Sequence, residues 1–140
     1  MTDPIVRLST YLLFDGTCRE ALSFYHSVFG GTLELTSVGD SPMGAAFPIH
    51  LHDRIVHGRL VIGEIYIPAS DFLAHEEEPV RGNMNCMYVD FGTVENIGGI
   101  FEKLSNGGTI TDPFSKQPFG WYGRIIDAFG VIWMFHAVAT

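Results

Sequence analysis

The chain has 140 residues, 46% of them apolar, and sixteen acidic against eight basic side chains give it a formal net charge of −8. That length suits one domain with a sizeable core, and a uniformly negative field repels phosphate backbones, so nucleic acid is not an expected partner. Cys18 and Cys86 lack redox or metal spacing, the start MTDPIVRLS has no leader-like regions, and the run IIDAFGVIWMF is broken by Asp127 and Gly130. No stretch approaches the roughly 20 apolar residues of a membrane span, so a reduced, cytoplasmic chain with no membrane partner is expected.

The first predicted strand is RLSTYLLF, Arg7 to Phe14, closed by the turn formers Asp15 and Gly16. Thr17 is placed to cap the next segment, where Ala21, Leu22, Tyr25, Val28 and Phe29 recur at helical spacing until Gly30-Gly31 stops it. A second strand follows. Thr36 to Arg54 shows little periodicity and much Gly, Pro and Ala, a long connection that either covers a pocket or is merely long. HGRLVIGEIYI, from His57, reads as strand, turn, strand. Pro68 to Asn83, with the acidic run Glu76 to Glu78, reads as a link.

Beyond the link the pattern returns. Tyr11 falls on Tyr88, Phe14 on Phe91, Phe24 on Phe101, and Gly30-Gly31-Thr32 on Gly107-Gly108-Thr109, all at one spacing of 77 residues with no gap. HGRLVIGEIYI likewise matches YGRIIDAFGVIWMF from Tyr122. The predicted fold class is therefore α+β: two tandem βαβββ modules, at about 7–68 and 83–137 with the link at about 69–82, form one domain. Each module, at about 55 to 62 residues, is small for independent stability. Curved mixed sheets around a shared cleft, with helices outside, are the expected arrangement, and the cleft is the expected pocket.

The element order, the segment FDGTCREALSFYHSVFGG and the ending GRIIDAFGVIWMF together resemble the vicinal oxygen chelate superfamily of glyoxalases, bleomycin-resistance proteins and ring-cleaving dioxygenases. More closely they resemble its PhnB-like, or 3-demethylubiquinone-9 3-methyltransferase-like, branch, from about Arg7 to Ala137. The resemblance implies a homodimer and, in the enzymes, a divalent metal that chelates adjacent substrate oxygens. It places the ligand positions at Thr10, near Tyr66, at Met87 and at Met134. A hydroxyl, a phenol and two thioethers do not make the set of His, Glu, Asp or Cys that zinc or iron requires. No cofactor is therefore expected, and no glycine-rich turn suited to a methyl-donor cofactor is visible.

The expected ligand contacts are Thr10, Leu12, His57, Met87, Trp121, Tyr122 and Met134. Strand parity groups Thr10, Leu12 and Phe14 on one face and Met87, Val89 and Phe91 on its repeat, and the metal-position correspondence turns these faces to the cavity. Trp121 and Tyr122 would stack on a planar ligand, and Arg59 and Arg124, each following a glycine, would meet an anionic group. His57 is the candidate general base. The reading that follows is a protein binding a small apolar or aromatic molecule, with no reaction assigned. One alternative is a lyase, isomerase or dioxygenase whose displaced metal site draws on His50, His52 and His57 with Asp53 or Glu64. The other is a structural or protein-interaction role.

Overall fold

The structure is a computed structural model that describes residues 6–73 and 78–138. Two compact units divide the chain, Met1–Pro79 and Val80–Thr140. In the first, β1 (Leu12–Phe14), α1 (Cys18–Phe29), β2 (Thr32–Ser37), β3 (Ile55–Ile62) and β4 (Ile65–Asp71) follow in chain order; in the second, β5 (Met87–Val89), α2 (Val94–Leu104), β6 (Thr109–Gln117), β7 (Gly120–Ile126) and β8 (Ile132–Ala137). The sheet orders are β1-β4-β3-β2 and β5-β8-β7-β6, the first pair of each parallel and the rest antiparallel. Each unit is one βαβββ module, as the repeat predicts.

The shared Gly-Gly stop has a physical basis in both modules. Gly30 and Gly107 take φ of 74° and 78°, left-handed values that cost a side chain energy. A Cβ on Gly31 would lie 2.3 Å from the Val61 carbonyl oxygen, and one on Gly108 2.3 Å from that of Ile126. The chain leaves each helix by passing tightly over the neighbouring hairpin.

Helix α1 buries Cys18, Ala21, Leu22 and Tyr25 against one face of its sheet. Leu22 and Tyr25 are 0% exposed, and burial of each such side chain contributes roughly 1.5–3 kcal/mol. Helix α2 does the same with Ile97, Phe101 and Leu104. The Phe101 ring meets Phe135 edge-on at 5.1 Å and stacks on Phe114 at 5.6 Å.

Three local expectations are corrected. Thr17 makes no capping hydrogen bond; Asp71, distant in sequence, does that work. Its Oδ1 accepts from Gly16 N at 2.9 Å and Cys18 N at 3.0 Å, and its Oδ2 from Ile55 N at 2.8 Å. Pro68 to Asp71 belongs to β4 rather than the link: Pro68 lies one residue before the stretch paired with β1, so the strand has one paired neighbour there, where proline is tolerated. Phe91 keeps its place in the repeat but not its environment, since Phe14 is 1% exposed and Phe91, beyond the end of β5 with φ 68°, is 99% exposed.

The long connection between β2 and β3 contains two 3-10 turns, Pro42–Ala46 and Ile49–Leu51. It is pinned at its base by Val38 N to Arg54 O at 2.8 Å and Gly39 N to His52 O at 3.0 Å. Of the link, residues 74–77, with His75, Glu76 and Glu77, lie outside the described residues.

Candidate functional site

Directly opposed residues of neighbouring strands share a sheet face, so one contact to a helix orients a whole row. In the first module Gly58 lies opposite Ala69, Ala69 opposite Leu12, and Leu35 opposite Gly58. A Cβ on Gly58 would sit 2.9 Å from Leu22 Cδ1 of α1. Leu12, and with it Phe14, therefore points to the helix. The face away from α1 carries Tyr11, Leu13, His57, Arg59, Tyr66 and Ser70.

The second module repeats this geometry. A Cβ on Gly123 would lie 2.7 Å from Phe101 of α2, and Gly123 opposes Phe135, which opposes Val89. Met87, opposite Trp133, shares that helix-side row, as does Trp121, whose ring packs on Phe114 at 5.4 Å. The face away from α2 carries Tyr88, Tyr122, Arg124, Met134 and His136.

The expected contacts are thus divided. His57, Tyr122 and Met134 lie on the faces away from the helices, Leu12, Met87 and Trp121 on the helix sides, and Thr10 is exposed ahead of β1. The repeat was legible, but its facing was inferred from Thr10 and Met87, and the true phase is one residue off. Tyr11, Tyr88 and Ser70, which are not among the expected contacts, lie on the faces away from the helices. The mismatch between a 49% exposed Tyr11 and an 8% exposed Leu12 is the burial alternation that pattern alone left unassigned.

Polar side chains on the first face partner one another. Tyr11 donates to Ser70 Oγ at 2.8 Å, the Arg7 guanidinium lies 4.6 Å from the centre of the Tyr66 ring, and Arg59 donates from Nε to Glu34 Oε2. This Arg59 contact holds the Glu34 carboxyl below the usual carboxylate range. On the second face Arg124 donates from Nη1 to Thr111 Oγ1 at 2.9 Å. Next to Tyr122 a hollow of about 350 Å³ is lined by Asp112, Pro113, Ser115, Gln117 and Phe119.

The histidines do not converge. His52 Nε2 lies 2.9 Å from the Gly44 carbonyl oxygen and 3.0 Å from that of Phe47; both are acceptors, so this nitrogen carries a proton and braces the connection. His50 is exposed on the second 3-10 turn, and His57 is exposed on β3 opposite Thr36. Among the described residues no three His, Cys, Asp or Glu side chains are grouped as a metal site requires. The displaced site on His50, His52 and His57 is therefore not assembled.

Cys18 is no nucleophile either. Burial, followed by the Asp71 and Glu20 carboxylates, pushes its thiol up to about 12. The thiol is 0% exposed beside the carboxylate that caps the helix.

Residues 7–135 match the family model described as the Glyoxalase/Bleomycin resistance protein/Dioxygenase superfamily. The chain belongs to this superfamily. Among solved structures, protein PA1353 from Pseudomonas aeruginosa is 35% identical with a TM-score of 0.79, the match covering 93% of this chain and 96% of that one. A PhnB protein from Bacillus cereus, bearing the name of the branch the motifs resemble, shares the fold at 24% identity and TM-score 0.76, over 95% of this chain and all of its own. Protein YjdN of Escherichia coli K12 is 27% identical over 146 aligned residues, 94% of this chain and 95% of its own length. A divalent metal of the superfamily's enzymes does not fit the described side chains at the positions assigned to its ligands: Thr10, Tyr66, Met87 and Met134 bring no carboxylate or imidazole, and neither do Tyr11 and Tyr88, which stand one step away on the faces away from the helices.

Proposed function

We propose that this superfamily member binds a small apolar or aromatic molecule without a metal centre of the family type. The observation that carries the reading is the face of the second module away from α2. There Tyr88 opposes Met134, Met134 opposes Arg124, and Tyr122 borders the hollow beside β6. Two phenol rings and a thioether offer polarisable area to a flat ligand, and the hollow falls within the usual size range of ligand sites, about 300–1,000 Å³. His57 lies on the first module's own face away from α1. A homodimer, which family membership supports, and a cytoplasmic location, which two free thiols support, complete it. Among the described residues no helix is long and apolar enough to cross a membrane.

Calorimetric titration with naphthamide, a neutral flat probe, tests the reading. Saturable binding is expected, weakened about tenfold by Tyr122→Ala, the loss of one buried aromatic contact, and unchanged by Trp121→Phe on the helix side. No binding, or sensitivity to Trp121→Phe alone, would overturn it.

A further inference from the structure

Resting on that reading, we infer that the bound molecule is an anion, a flat apolar body bearing one carboxylate or similar acidic group, and that Arg124 receives this group. The inference comes from a difference between two otherwise matching halves. Arg59 and Arg124 each follow the glycine that lies against the helix, Gly58 and Gly123, and each points to the face away from it. The repeat spacing that sets Thr32 on Thr109, the first residues of β2 and β6, sets Glu34 on Thr111. In the first module the acid at that place pairs with its arginine. In the second the same place holds a hydroxyl, and Arg124 Nη1 donates to it at 2.9 Å.

A neutral partner orients the guanidinium without neutralising it. The Thr111 hydroxyl is itself fixed, donating to the Arg124 carbonyl at 3.0 Å, so the pair forms a closed loop. Asp112 stands opposite Arg124 in register and shares its face, and the pairing slips between Ile110 and Asp112. This irregularity inserts Thr111 as an extra residue, and such bulges re-aim side chains beside functional sites. Among the described residues no carboxylate comes within 4.0 Å of the Arg124 guanidinium. In a chain of net charge −8, a half-buried arginine held by a hydroxyl retains its capacity for an external anion, which its planar fork can meet with two parallel hydrogen bonds. Tyr122 on the same strand face and Met134 opposite Arg124 supply the apolar wall beside that charge.

The test compares naphthoate with naphthamide, which share size and shape and differ in charge. Calorimetric titrations of the wild-type protein should show naphthoate binding at least about tenfold more tightly, the usual scale of a charge-assisted contact. Arg124→Met should abolish the preference. Thr111→Glu, which restores the acid found in the first module, should abolish it with the arginine still present, and Arg59→Met should leave it intact. Equal affinity for both probes in the wild type, or a preference that survives both Arg124→Met and Thr111→Glu, would overturn the anion assignment while the binding reading stands. Failure of both probes to bind would overturn both.

Discussion

Two buried aspartates illustrate how much a single side chain can hold. Asp71 is 4% exposed and accepts three backbone N–H groups that join the entrance of α1, the end of β4 and the start of β3. Asp127, also 4% exposed, accepts from Phe129 N, Val131 N and Trp133 Nε1 at 2.8–3.0 Å and closes the β7–β8 turn. Asp71→Ala strands two buried donors and one part-buried donor and should lower the unfolding free energy by about 3 kcal/mol in urea titrations; a loss near zero would contradict the capping role. Cys18 carries a pH signature. Its thiol titrates near 9.0 when unfolded and near 12 when folded, so its contribution to stability is complete below the first value and is lost as pH rises through the second. The urea midpoint of the wild type should therefore fall more between roughly pH 8 and roughly pH 10.5 than that of Cys18→Ala. In the native protein a thiol reagent should label exposed Cys86 and spare Cys18 until denaturant is added.

At the level of the elements, close approach of helix to sheet is the common device. Gly58 and Gly123 admit Leu22 and Phe101 to the strand surface, where an added Cβ would stand 2.9 and 2.7 Å from them. Gly58→Ala and Gly123→Ala should each destabilise by about 1–3 kcal/mol, the usual cost of overpacking, as read from thermal or urea unfolding. The Phe101 ring is already fixed by Phe114 and Phe135, so Gly123→Ala should cost more; the opposite order would contradict this packing. Helix periodicity and the Gly-Gly stops were readable in sequence because local spacing and backbone sterics create them. Thr17 was misread as a cap because the group that caps α1 is 53 residues away from Cys18, beyond any local signal. Pro68-Ala69-Ser70 was read as a link because small residues and proline mimic a loop when the pairing partner is unknown.

At the scale of the molecule, the internal duplication made the architecture legible: one spacing relates β1 to β5, the helix stops, and the starts of β2 and β6, and both sheets have the same strand order. The candidate site was less legible. A strand's two faces differ by a single step of phase, and the packing of the Gly58 and Gly123 rows against the helices fixes that phase. Leu12, Met87 and Trp121 consequently pass to the helix side, while Tyr122 and Met134 keep their proposed place beside Tyr88 and Arg124. In the proposed function, recognition proceeds without the metal used by enzymes of the superfamily. Native mass spectrometry of the purified protein, before and after incubation with Zn²⁺, Fe²⁺, Ni²⁺ and Mn²⁺ and subsequent desalting, tests it most directly. Subunit masses with no retained metal ion are expected, whereas one tightly held metal per chain would show that a metal takes part.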